Sequence, residues 1–199
     1  MSGRARVARL VLRALGWEAH GDPPPLAKYV LLAAPHTSYW DFALVYLLTF
    51  VYELRISFLM KHTMFVGPVG WWLRRVGGIA VRRHLRENLV HDLAAQFQTQ
   101  ARLVLVIAPE GTRAGSEYWK SGFYHLARRA EVPVVLGYLD YGRRHAGFGP
   151  ALTLSGDVAA DMDEIRKFYS DKTGRYPSLV GAIRLREEEA EGEDVGESH

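Results

Sequence analysis

The stretch Lys28-Tyr29-Val30-Leu31-Leu32-Ala33-Ala34-Pro35-His36-Thr37-Ser38-Tyr39-Trp40-Asp41 decides how this chain of 199 residues folds. Its first seven residues favour β-structure and show no polar alternation, the pattern of a strand covered on both faces. Pro35 ends the run, because proline has no N–H to give to a ladder. A polar turn follows. From Trp40 to Leu54 the chain is apolar around most of a helical circumference, so the unit reads strand, turn, helix. That helix spans fifteen residues, short of the roughly 20 that cross a bilayer, and Asp41 and Glu53 flank it. A buried or membrane-apposed helix is expected.

The same alternation continues in both directions. Strands are expected at Ile56–Met60, Ile79–Arg82, Leu103–Ala108 and Val132–Tyr138. Helices are expected at Pro68–Arg75, Glu87–Ala101 and Tyr118–Ala130. Short buried strands separated by helices predict a single α/β domain with a mainly parallel or mixed sheet flanked by helices. Beyond Asp140 the pattern suggests a hairpin within 141–157 and helices over 158–169 and 176–186. On the N-terminal side, residues 4–17 read as an amphipathic helix that Gly21-Asp22-Pro23-Pro24-Pro25 brings to an end. Val7, Leu10, Val11 and Ala14 share one face, with Arg6, Arg9 and Arg13 largely opposite. This is the pattern of a helix lying in a membrane interface, and equally of a surface helix packed on its own domain. Those arginines also interrupt any signal-peptide core.

Composition narrows the functional classes. The domain is expected to occupy residues 1–186, and 187–199 to form an acidic, disordered tail with seven carboxylates and no Lys or Arg. Without that tail the body carries 25 basic against 15 acidic residues, a net of +10. Such a body attracts polyanions such as phosphorylated metabolites or an anionic membrane. Cysteine is absent, which excludes thiolate nucleophiles, disulfides and cysteine-ligated zinc. No Walker or dinucleotide glycine motif occurs. His20, His36, His62, His84, His91 and His125 are scattered without metal-ligand spacing, so no metal and no cofactor is expected.

Three segments carry chemistry. His36 follows a buried strand and precedes a helix, the position where α/β sheets bind ligands. Histidine suits proton transfer near neutral pH, and Asp41 is placed to orient it across the turn. A histidine merely satisfied in a turn, with Asp41 favouring the first helical turn, fits the same spacing. Pro109-Glu110-Gly111-Thr112-Arg113 follows the strand at 103–108. Gly111 permits a tight turn, Thr112 and Arg113 offer donors, and Glu110 can hold the loop or the arginine. A capping loop with a surface ion pair is the alternative. Gly77-Gly78-Ile79-Ala80-Val81-Arg82-Arg83 ends in two arginines suited to an anionic head group, or to a solvated edge. Trp71 and Trp72, beside the turn Gly67-Pro68-Val69-Gly70, and Trp40 suit an acyl groove, a membrane contact or the core.

Taken together, these segments resemble the lysophospholipid acyltransferase family, which includes glycerol-3-phosphate and 1-acylglycerol-3-phosphate acyltransferases. The His-x-x-x-x-Asp block is met by His36 and Asp41, and the Pro-Glu-Gly-Thr-Arg block by Pro109 to Arg113. A glycine-led strand ending in arginine is matched by Gly78 to Arg83, and a Val-Pro-Val-Val strand by Val132 to Val135. The blocks occur in order over about residues 28–140 and look like those of a short bacterial branch. Arg82 departs from the acidic residue common there, and Ala108 from a common phenylalanine.

The resemblance implies a glycerolphosphate-acyltransferase-like fold and transfer of a fatty acyl group from acyl-CoA or acyl carrier protein to a hydroxyl of a lyso-lipid acceptor. It implies His36 as base, Asp41 as its orienting partner, and Arg83, Glu110, Gly111, Thr112 and Arg113 as substrate-binding residues. It also implies a peripheral position on the inner, cytoplasmic face of an anionic membrane. The competing readings are an acyl-thioester or lipid hydrolase and a non-catalytic phospholipid-binding protein. Ser38 lies too close to His36 for an ordinary triad, and no G-x-S-x-G elbow occurs. Nucleic acid is suggested by basic charge alone and is not expected as a partner.

Overall fold

Apolar runs in this chain alternate with amphipathic ones, and the fold stacks them as a sheet between two helical layers. The computed structural model describes residues 2–81 and 86–189. In chain order the elements are α1 (Gly3–Ala14), β1 (Glu18–His20), β2 (Lys28–Ala34), α2 (Trp40–Val51), β3 (Ser57–Lys61), α3 (Gly67–Arg75) and β4 (Gly78–Val81). Then follow α4 (Arg86–Thr99), β5 (Leu103–Ile107), α5 (Gly122–Ala130), β6 (Val134–Asp140), β7 (His145–Leu152) and α6 (Val158–Tyr169). The strands form one sheet in the order β1-β7-β6-β2-β5-β3-β4.

β2 is central and runs parallel to β5 on one side and β6 on the other. β3 and β4 extend the parallel part, whereas β7 returns antiparallel to β6 as a hairpin and pairs with β1 at the far edge. The alternation along β2 assigns its two faces. Val30, Leu32 and Ala34 pack with α4, α5 and α6 through Phe97, Leu126, Met162 and Ile165. Tyr29 and Leu31 face the other side, where Phe58, Phe65 and Leu73 of the α3 region gather, and α1 packs on α2 through Ala8, Leu12, Leu44 and Leu48. Among the described residues no helix is long and apolar enough to cross a membrane.

Several boundaries differ from the sequence expectation, each for a local reason. α1 stops at Ala14, not near Trp17. Gly16 takes φ +75° and donates to Arg13 O at 2.8 Å, while Trp17 donates to Leu12 O at 3.0 Å. This pair of bonds is a Schellman stop, which glycine enters without a Cβ penalty. The chain is thereby released to form β1, a strand the sequence did not announce. The helix expected from Tyr118 begins at Gly122, because Trp119 and Lys120 donate their N–H groups to Arg184 O and Pro109 O instead.

The helix expected over 176–186 is a single 3-10 turn, Pro177–Leu179. Beyond it the chain runs as a strap: a Cβ on Gly181 would stand 2.2 Å from Ser116 O, and Arg166 donates to Ile183 O. The first residues of the acidic stretch, 187–189, are helical and engaged, with Glu188 paired to Arg166 and Glu189 to Arg184. The rest of the expected tail lies outside the described residues. So do Arg82 and Arg83.

Candidate active site

Because β2, β5 and β6 are adjacent and parallel, the loops that leave their carboxyl ends meet at one sheet edge. His36 follows β2, Glu110 follows β5 and Tyr141 follows β6. The peptide bond between Ala34 and Pro35 at the end of β2 is cis.

Asp41 is buried and organises the turn. Its Oδ2 lies 3.0 Å from His36 Nδ1 and also accepts the N–H groups of Thr37 at 3.0 Å and Ser38 at 2.9 Å. Its Oδ1 accepts the Tyr141 hydroxyl at 2.7 Å. Burial alone would raise this carboxyl, but the bonds from His36, Tyr141 and Ser38 outweigh it and hold the group below its ordinary value. An ionised Asp41 only accepts, so the proton of a neutral His36 resides on Nδ1 and Nε2 presents its lone pair. Nε2 has no hydrogen-bond partner among the described residues, and the side chain is 21% exposed. This arrangement can take a proton from a substrate and return it.

Glu110 clips the second loop to the first. Both its oxygens face the backbone N–H of His36, at 3.0 and 2.9 Å. The carboxyl is buried, and burial pushes it up to about 7 although the His36 N–H opposes the shift. The pH consequence follows by linkage. Between the ordinary value of 4.5 and about 7 the folded protein holds more of the proton than the unfolded chain does. Stability therefore falls as pH rises through that window, by at most about 1.4 kcal/mol per unit. Glu110→Gln keeps an acceptor for His36 but cannot titrate. Urea midpoints at pH 5, 6, 7 and 8 should show a flatter slope for the variant than for wild type.

Other groups close the edge. Asp140, at the end of β6, accepts from Gly142 N and Thr173 N, and Tyr141 N donates to Thr173 O at 2.8 Å; these bonds aim the Tyr141 ring. That ring also meets Trp17 edge-on at 4.7 Å. Tyr176 N donates to Thr37 Oγ1 at 3.1 Å, tying the 173–176 segment to the His36 turn. Arg175 lies over the rings of Tyr141 and Tyr176. The Arg113 guanidinium stands 3.7 Å above the exposed Tyr39 ring and has no ion-pair partner among the described residues. Gly111 adopts φ +66° in the tight turn expected of it, and Thr112 is exposed beside it.

His36, Asp41, Glu110 and Arg113 are thus brought together. Tyr141 and Arg175 join them unannounced by the sequence; Tyr141 lies three residues past the expected strand Val132–Tyr138 and directly after the observed end of β6 at Asp140. Arg83 cannot be placed, since it lies outside the described residues. Trp40 and Trp71 are 62% and 67% exposed, and Trp72 packs edge-on against Phe42 and Tyr46 of α2. None of the three lines the apolar cleft between α2 and the sheet, which is bounded by Leu31, Ala33, Val45, Leu48, Gly137 and Phe148.

A protein-family model described as Acyltransferase matches residues 18–136, more than half of the chain. Among solved structures, the chain is similar to the 1-acyl-sn-glycerophosphate (LPA) acyltransferase PlsC from Thermotoga maritima. The TM-score is 0.53 at 17% sequence identity, covering 84% of this chain and 73% of that one. That likeness is one of fold. No curated protein matches the sequence significantly.

Proposed function

The chain belongs to the acyltransferase family, and from that premise we propose that it transfers a fatty acyl group from acyl-CoA or acyl carrier protein to a hydroxyl of a lysophospholipid or related lipid. The observation that carries this reading is His36 held through Nδ1 by a buried carboxylate, with Nε2 unpartnered among the described residues at the edge where the β2 and β5 loops meet.

In this mechanism His36 Nε2 takes the proton from the acceptor hydroxyl as its oxygen attacks the thioester carbonyl. Asp41 stabilises the imidazolium that forms. The tetrahedral intermediate collapses with cleavage of the C–S bond, and the departing sulfur takes the proton from His36. Oxygen, acyl group and proton are all accounted for without a covalent enzyme intermediate or a cofactor.

Arg113, with Thr112 and the backbone of Gly111, binds the acceptor's anionic head group, and Arg83 is assigned the same task from its motif. Glu110 acts through His36: it holds the backbone N–H, and so fixes the base relative to the head-group loop. Arg175 supplies further positive charge beside Tyr141. The side chains Leu31, Val45, Leu48 and Phe148 along the cleft beneath α2 suit contact with a hydrocarbon chain better than the exposed tryptophans do.

The surface supports peripheral membrane contact. α1 turns Ala5, Ala8 and Leu12 inward and leaves Val7 and Leu10 60% and 65% exposed, with Trp71 of α3 also outward. Apolar side chains beside arginines suit an anionic bilayer surface. Leu10→Asp should weaken sedimentation with vesicles containing anionic lipid by about tenfold or more, since a buried leucine is worth roughly 1.5–3 kcal/mol. Unchanged binding would remove α1 from the contact.

Tyr141→Phe keeps the ring against Trp17 but loses the bond to Asp41. Turnover should fall by a few-fold to about tenfold, chiefly in kcat, with folding retained. The proposed function itself is tested by following a labelled acyl thioester with a panel of lyso-lipids and with none. Label appearing in a diacyl product supports it. Release of free fatty acid at the same rate with or without acceptor would establish a hydrolase instead.

A further inference from the structure

On the outermost strand, beside the carboxyl end of β6, a second group of side chains converges. Glu18 and His20 are two residues apart on β1 and so stand on one face of the strand. β1 pairs with β7 in a register that sets Glu18 opposite His145. His20 Nε2 lies 3.4 Å and His145 Nε2 3.9 Å from the same Glu18 Oε2. The two imidazoles stack with centroids 3.9 Å apart and planes inclined at 29°. All three ligand atoms fall within 4.8 Å of one another.

Tetrahedral zinc with bonds of about 2.0–2.2 Å to nitrogen and oxygen sets its ligand atoms roughly 3.3–3.5 Å apart. Of the three separations, His20 Nε2 to Glu18 Oε2 already has that value, His145 Nε2 to Glu18 Oε2 is a few tenths longer, and the two imidazole nitrogens lie within 4.8 Å of each other, so metal binding draws the two rings together. Glu18 forms no ion pair with Lys or Arg among the described residues; its partners are the two imidazoles. The register itself depends on Gly147, where a Cβ would come within 1.7 Å of His20 O and force β1 away from β7. The glycine permits the approach that gathers the ligands.

We propose that Glu18, His20 and His145 form a divalent transition-metal site. It takes Zn²⁺ through the two Nε2 atoms and one carboxylate oxygen, with the remaining coordination position open to solvent. Two imidazoles with one carboxylate favour zinc over Mg²⁺ or Ca²⁺, which take oxygen ligands. Bound metal staples the three-residue β1 to β7, and through the Gly16 stop it anchors α1 to the sheet. The sequence carries no metal-ligand spacing here, because His145 is 125 residues from His20 and the three groups meet only through the pairing of β1 with β7.

The test is calorimetric titration of untagged, full-length protein with ZnCl₂, alongside thermal unfolding with and without the metal. Wild type should bind one zinc per chain and unfold at a higher temperature in its presence, whereas MgCl₂ should give no saturable heat. His20→Ala, His145→Ala and Glu18→Gln should each weaken zinc binding by about tenfold or more. His125→Ala, which removes the separate His125–Glu187 pair, should leave it unchanged. Glu18→Gln keeps both imidazoles on an exposed position, so its result does not depend on a histidine variant folding. Equal zinc affinity in wild type and these site variants, or no saturable binding by wild type, would overturn the proposal.

Discussion

Asp41→Ala should lose nearly all acyl transfer and also about 3 kcal/mol or more of stability, an effect on both counts that no other single change at this edge should match. The carboxylate accepts from His36, Thr37, Ser38 and Tyr141, and the Thr37 and Ser38 side chains around it are buried. Truncation strands several donors away from water, each at a cost of about 1–3 kcal/mol. Against a total of about 5–15 kcal/mol for a domain, that loss is large.

Asp41→Asn separates the two effects. The amide oxygen still accepts from part of the turn, so more of the fold's stability survives. Its NH₂ group, however, favours the His36 tautomer with Nδ1 as acceptor and the proton on Nε2, where no lone pair remains for the substrate. Turnover should fall by about 10³- to 10⁴-fold. Urea denaturation and steady-state kinetics on both variants check this. Acid adds a further sign. The Asp41 carboxyl is held low in the folded state, so its stabilisation is complete above the unfolded value of 3.8 and is lost as pH falls through the folded value. Asp41→Asn should lack that acid-sensitive component.

His36→Ala should act almost wholly on rate. The imidazole is partly exposed, and the backbone N–H that Glu110 holds survives the substitution. Removing a positioned general base costs about 10²- to 10⁴-fold. The loss should fall on kcat with little change in KM, because Arg113 and the apolar cleft are left in place. An unfolding midpoint close to wild type would show that the turn persists. A large rise in KM with kcat preserved would instead make His36 a binding residue.

How far such a site is legible in the sequence depends on the range of the forces that build it. The observed ends of β2 are legible in the sequence, because an uninterrupted apolar run bounded by Lys28 and Pro35 is a local signal. The His36–Asp41 contact was legible for the same reason, since five residues of turn bring the two groups together. The Glu110 clip to the His36 N–H was half legible: its motif was plain, but its partner depends on β2 and β5 being neighbours. Tyr141 and Arg175 are not legible in the sequence, as Tyr141 reaches the turn through the pairing of β6 with β2 and Arg175 through the 173–176 segment that Thr37 holds. β1 escaped notice because three residues carry no periodicity and its existence rests on the φ of Gly16. The segment 176–186 carries helix-forming residues, but past its 3-10 turn Ile183 O accepts from Arg166 of α6 and Arg184 O from Trp119 N, so these carbonyls are taken by other elements.

If His36 drives transfer from thioester to lyso-lipid, its removal must slow donor loss and product gain together. The most direct measurement follows both ends of that reaction at once: loss of a labelled acyl thioester and gain of label in the acceptor, for wild type and His36→Ala at equal folded concentration. Loss and gain should match mole for mole in wild type, and both should fall by about 10²-fold or more in the variant. Equal diacyl product from the two proteins would contradict that role for His36.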